Sequence, residues 1–315
     1  MKKALIVGID DYPSSPLTGC VSDASSMASI LATNGDGSPN LEVKLMTSPS
    51  SSITKSTLRH AIESLFEGNG DMALLYFSGH GHIDNTGGYL VTTDAQQYDE
   101  GVSMETILSI ANNSQTKNKI IILDCCYSGA VGTPTVTGGN LAMLSEGLSV
   151  LTASRESESA IEINGHGVFT SLLLDALAGG ASDLRGNITP GSLYAYVDEA
   201  LGAWDQRPIF KTNVTNFARI RRIDPRVPLE KLRKLTMYFP KSTDEHQLNP
   251  SYEKTEAGKD VNNVEIFNDL QAFEGVGLVV PVDEEHMYYA AINSKSCRLT
   301  ALGAQYWRLA KEGKL

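Results

Sequence analysis

Four short runs in this chain of 315 residues are apolar with almost no alternation: residues 3–8, 72–77, 119–123 and 148–153. A strand with one wet face alternates apolar and polar residues, so an unalternated run is one buried on both faces. Between and after these runs lie helix-like stretches at 22–32, 53–66, 103–111, 167–177 and 190–201. In the second, Leu58, Ala61, Ile62, Leu65 and Phe66 share a face. The last has Pro190 at its start, where a missing N–H costs nothing. With a further short strand at 42–46, the alternation predicts an α/β fold, a mostly parallel sheet flanked by helices on both sides. Such sheets carry their chemistry in the loops at the carboxyl ends of the strands.

The alternation stops near Arg221. Residues 1–222 read as one domain and 223–263 as a linker containing a connecting helix at 229–237. Residues 264–315 read as a small C-terminal module: helix 264–273, strand entry 277–281, strand 287–292 and terminal helix 299–311. A helix, a β-hairpin and a final helix predict a small α+β, winged-helix-like fold.

Charge limits the partners. Lys and Arg number 26 against 37 Asp and Glu, a net of −11. Residues 1–222 carry −9 of it and 223–315 carry −2. A nucleic-acid binder needs a positive footprint, so nucleic acid is disfavoured as a partner and basic side chains are favoured. No run approaches the ~18 apolar residues of a membrane span. The apolar start is interrupted at Asp10 and Asp11, short of a signal-peptide core, so a cytoplasmic chain is expected. Four cysteines, Cys20, Cys125, Cys126 and Cys297, make neither a disulfide scaffold nor a paired zinc motif. The adjacent pair reads either as thiol chemistry or as small buried residues.

The segments after two of the buried strands decide between those readings. Run 72–77 is followed by Ser78-Gly79-His80-Gly81-His82, and run 119–123 by Asp124-Cys125-Cys126-Tyr127-Ser128-Gly129. In parallel neighbours both would leave the sheet at one edge. A histidine beside a cysteine is what thiol catalysis needs: the imidazole stabilises the thiolate and later protonates a leaving amine. Gly79 and Gly81 allow a sharp turn and close approach to substrate. The amides of Gly81 and Cys126 are candidates for an oxyanion hole.

These two motifs together, YFSGHG and DCCYSG, resemble those of the caspase-like peptidases of the metacaspase and paracaspase branch. Residues 17–24 (LTGCVSDA), Val168-Phe169-Thr170 and Gln206-Arg207-Pro208-Ile209-Phe210 extend the resemblance over about residues 1–222. It implies a caspase-hemoglobinase fold with a six-stranded sheet. It also implies a cysteine endopeptidase acting on protein or peptide substrates, with Cys126 as nucleophile, His80 as base and Cys125 as a structural residue. Tyr127 departs from the histidine common there in metacaspases, which favours a bacterial relative.

By the same resemblance Asp23 and Asp124 are the acidic floor of the primary specificity pocket. A carboxylate pair there would select Arg or Lys before the scissile bond; taken singly, Asp23 also reads as a helix N-terminal charge and Asp124 as a loop cap. Arg155 is a lone basic candidate between glutamates. Many metacaspases need calcium, but Asp84, Asp94, Asp99, Glu100 and Glu105 lack a ligand spacing, so no metal or cofactor is assigned. His60, His166, His246 and His286 read as surface or packing residues. The C-terminal module is the candidate control element, answering to an activating nucleotide or a protein sensor. Its Tyr288, Tyr289, Lys295, Arg298, Tyr306, Trp307 and Arg308 are either a binding face or, for Tyr306 and Trp307, core. Relatives with extra domains suggest an effector of antiphage defence. The rival reading is a pseudoprotease scaffold or adaptor whose main role is recognition.

Overall fold

In the computed structural model, residues 1–85, 87–97, 99–125, 144–153, 162–163, 166–201 and 207–315 are described. They divide into two units, Met1–Ile223 and Asp224–Leu315.

The first unit is built on the apolar runs. β1 (Lys2–Gly8), β2 (Glu42–Thr47), β3 (Met72–Ser78), β7 (Asn118–Asp124) and β8 (Leu148–Thr152) are parallel, and β12 (Ile209–Asn213) closes the sheet antiparallel to β8. The order is β12-β8-β7-β3-β1-β2, six strands. Successive residues of a strand point to opposite faces, and here both faces are covered. Leu5, Val7, Leu75, Phe77, Ile121 and Leu123 pack on one side with α2 (Lys55–Phe66) and α3 (Met104–Asn113). Ala4, Ile6, Leu74, Tyr76, Ile120 and Ile122 pack on the other with α1 (Cys20–Ala32), α4 (Val168–Asp175) and α5 (Pro190–Ala200). The absence of alternation is thus explained: neither face of β1, β3, β7 or β8 is left for water.

Three elements add to this core. A side sheet of β4 (Gly81–Asp84), β5 (Gly87–Gln96) and β6 (Asp99–Ser103) follows β3 directly. Two short ladders, β9 (Glu162–Ile163) with β10 (His166–Gly167) and β11 (Asn187–Ile188) with β13 (Arg221–Arg222), flank α4 and α5. Helix α1 sits against the end of β1 at Gly8, where any Cβ would strike the Cys20 carbonyl oxygen and come 2.6 Å from the Ala24 Cβ. Gly8→Ala should therefore cost about 1–3 kcal/mol and lower the thermal midpoint by several degrees. An unchanged midpoint would show that α1 moves away freely.

The second unit differs from its sequence reading. It holds α6 (Leu229–Arg233), α7 (Leu235–Tyr238), β14 (Glu245–Gln247), α8 (Val261–Glu274), β15 (Val279–Val282), α9 (Met287–Ile292), β16 (Ser296–Leu299) and α10 (Ala301–Lys311). The stretch expected to be a linker folds into this unit, because β14 pairs with β16. Its polar residues serve as caps: Asn249 holds the Ser251 amide and Asp260 holds the Asn263 amide. The expected strand 287–292 is helix α9. Met287, Ala290 and Ala291 are buried at helical spacing, while Tyr288 and Tyr289 face out. No tight hairpin forms, since α9 lies between β15 and β16. Trp307 is core, its Nε1 donating to the Phe239 carbonyl at 2.6 Å.

Candidate active site

The register of the two central strands aligns the motifs. In the β3–β7 ladder Ser78 is the partner of Asp124. His80 lies two residues beyond the first, and Cys126 follows the second by two residues in sequence. The Gly79 amide donates across to the Asp124 carbonyl at 3.4 Å. Cys126 itself, Tyr127 and Arg155 lie outside the described residues.

His80 is held from three sides. Its amide donates to the Tyr12 hydroxyl oxygen at 3.0 Å, and the Val91 amide donates to its carbonyl at 3.0 Å. Its imidazole packs against the Tyr12 ring at a tilt of 52°, with centroids 4.6 Å apart. Its Nε2 is 2.7 Å from the Ser15 carbonyl oxygen. A carbonyl only accepts, so Nε2 carries the proton and Nδ1 of the neutral ring is the free base. The Tyr12 hydroxyl in turn donates to the Val91 carbonyl at 3.2 Å, and burial pushes its pKa up, keeping it protonated. Gly79 is obligatory beside it: a Cβ there would come 2.5 Å from the Tyr12 hydroxyl and 3.0 Å from the Phe77 ring. Gly81, the proposed oxyanion donor, opens β4 opposite Leu90.

Sequence reasoning missed Tyr12 and Ser15. They sit in the loop after β1, at the same sheet edge, and that placement is a signal for the Tyr12 side chain alone. The loop is stitched down by Asp10, whose carboxylate accepts from the Cys20 amide at 2.9 Å and the Val21 amide at 3.3 Å. This also caps α1, whose own N-cap, Gly19, has no side chain to do it. Ser48 Oγ accepts from the amides of Asp10 and Asp11, each at 3.0 Å.

Asp23 and Asp124 are both buried, and both turn an oxygen towards Gly167. The Gly167 amide donates to Asp23 at 3.2 Å, and a Cβ on Gly167 would come 2.9 Å from Asp124 Oδ2 and 3.5 Å from Asp23 Oδ2. Burial raises the Asp124 pKa to about 6, the Thr170 hydroxyl and amide pull it down, and Asp23 adds to the rise. The expected carboxylate pair is therefore assembled from α1 and β7 at the start of α4.

Cys125 is buried in the core between β7 and its covering helices. Burial raises the thiols of Cys20 and Cys297 to about 12, which keeps them out of thiolate chemistry. Three of the acidic residues weighed for calcium have other partners. Asp94 accepts from the Lys55 amide and the Thr92 hydroxyl, Asp99 pairs with the Lys55 ammonium, and Asp84 accepts from the Gly87 amide. Among the described residues no group of three or more His, Cys, Asp or Glu is placed to hold a metal ion, and no helix is long and apolar enough to cross a membrane.

The family model of the caspase domain matches residues 1–217. The chain belongs to the caspase-domain family. No curated protein matches the chain. Among solved structures, a Geobacter sulfurreducens protein aligns at 17% identity and a TM-score of 0.53, covering 70% of this chain and 99% of its own. Caspase-1 from Spodoptera frugiperda aligns at 12% identity and a TM-score of 0.50, covering 70% of this chain and 90% of its own. The first unit thus has the caspase fold, and membership of this peptidase family points to cysteine peptidase chemistry in general.

Proposed function

We propose that this caspase-domain protein is a cysteine endopeptidase that uses Cys126 as nucleophile and His80 as base. What carries the reading is the state of His80. Its Nε2 is engaged by Ser15, which leaves Nδ1 basic at the sheet edge where β7 ends, two residues before Cys126 in sequence. Nδ1 accepts the Cys126 thiol proton as sulfur attacks the peptide carbonyl. The oxyanion is met by the amides of Gly81 and Cys126. The imidazolium then protonates the leaving amine, and water hydrolyses the thioester. The scaffold alternative would call for loss of Cys126 or His80, and the chain contains both.

The paired carboxylates of Asp23 and Asp124 support cleavage after Arg or Lys, through charge-assisted hydrogen bonds. Fluorogenic peptides ending in Arg, Lys or Asp test this: the basic pair should be cleaved and the aspartyl peptide left intact. Preference for Asp would overturn it.

Tyr12 supports the base. Tyr12→Phe deletes the acceptor for the His80 amide and the donor to Val91 while keeping the ring contact. An about tenfold fall in kcat with little change in KM is expected from the loosened imidazole. Wild-type kcat would show that the ring contact suffices.

The second unit completes the reading as the control element of a bacterial, cytoplasmic effector in antiphage defence, answering to a nucleotide signal or a protein sensor. Thermal stabilisation of the full chain by a panel of cyclic and linear nucleotides checks the first kind of signal. No shift with any of them assigns activation to a protein.

A further inference from the structure

In the sequence, Val168-Phe169-Thr170 carries only a resemblance. In the fold its threonine has a physical task. Thr170 is fully buried in the first turn of α4, and its hydroxyl donates to Asp124 Oδ2 at 2.5 Å. Its backbone amide also favours the charged carboxylate, pulling the Asp124 pKa down. One buried hydroxyl therefore fixes the direction of the Asp124 carboxylate.

The hydroxyl proton is committed to the carboxylate, so the Thr170 oxygen has only acceptor capacity left. Tyr76, itself fully buried on β3, meets it at 2.6 Å. Tyr76 must be the donor, and burial keeps its proton in place. The order is Tyr76 to Thr170 to Asp124, running from the middle of the sheet to the acidic pair. At the same helix start the Gly167 amide serves Asp23. Two buried carboxylates side by side repel; here the positive end of α4 and these donors offset that repulsion.

We propose that Thr170 is a positioning residue for substrate selection, holding the Asp124 carboxylate, with Tyr76 behind it, in the orientation that distinguishes a cationic side chain from a neutral one of the same shape. This rests on the reading of Asp23 and Asp124 as the pocket for Arg or Lys. Thr170 does not touch substrate. It acts by keeping the carboxylate from turning away towards other donors when no guanidinium is present. Valine matches threonine in shape, so Thr170→Val removes the hydroxyl and leaves the amide and the packing.

The test compares paired peptides ending in arginine or citrulline, its neutral isostere, on the full-length protein and its variants. A charge-assisted hydrogen bond predicts that the wild type favours arginine by about tenfold to a hundredfold. Thr170→Val should cut that ratio about tenfold, through the arginyl KM and with citrulline turnover kept, and Thr170→Ser should restore it. Equal loss on both peptides, or an unchanged ratio, would overturn the proposal. A wild type that cleaves both peptides equally, or neither, would instead overturn the pocket reading beneath it. Should Thr170→Val fail to fold, Tyr76→Phe decides. It removes the donor behind Thr170, a reduced ratio is expected, and an unchanged one overturns the proposal.

Discussion

Cys126→Ala is expected to lower peptide hydrolysis by roughly ten-thousand-fold or more, the scale on which loss of a nucleophile acts. Cys125→Ala should keep most of it. The two residues are chemically identical neighbours, and position separates them. Cys125 points into the core and is buried with the apolar side chains of that face. Replacing Cys125 removes one buried sulfur and costs stability rather than turnover, on the order of 1 kcal/mol. Rates on an arginyl peptide, with thermal midpoints for both variants, check this. The reverse pattern would reassign the nucleophile.

Asp124→Asn should have two opposite effects. Arginyl kcat/KM should fall about tenfold to a hundredfold with the lost charge. Stability at neutral pH should rise. The folded-state pKa of Asp124 is about 6, against about 3.9 in an unfolded chain. The native state therefore holds this proton more tightly than the unfolded state does. The stability that follows is fully present below about pH 4 and is lost as pH rises through 6. The difference is on the order of 3 kcal/mol, and an uncharged Asn avoids the loss. Asp23, Cys20, Tyr76 and Thr170 surround the group, and of these Asp23 adds to the shift in Asp124. The variant should melt several degrees above wild type at pH 7.5, with the gap closing towards pH 4. Melting below wild type at both pH values would show that the buried carboxylate stabilises the fold.

The central sheet was legible because full burial removes alternation from β1, β3, β7 and β8, and runs of that length and composition have few alternative uses. The two motifs were legible because each follows such a strand. The side sheet β4–β6 was not, since Gly87, Gly88 and Gly101 interrupt any period-two pattern. Ser15 was not legible either, because it acts through a main-chain carbonyl that any residue possesses. Thr170 could be noticed but not explained, as its partners Tyr76 and Asp124 are distant in sequence. In the second unit, composition misled. The polar stretch around β14 is rich in caps, and the Met287-Tyr288-Tyr289-Ala290-Ala291 run fits both periods until burial selects the helical one.

The most direct measurement is active-site labelling of the full-length protein with an arginyl chloromethyl ketone, followed by mass spectrometry of the modified peptide. A single adduct on Cys126, slowed sharply by His80→Ala and by Asp124→Asn, is the predicted result. An adduct on Cys125 or Cys20, or labelling of Cys126 at the same rate without His80, would contradict the account.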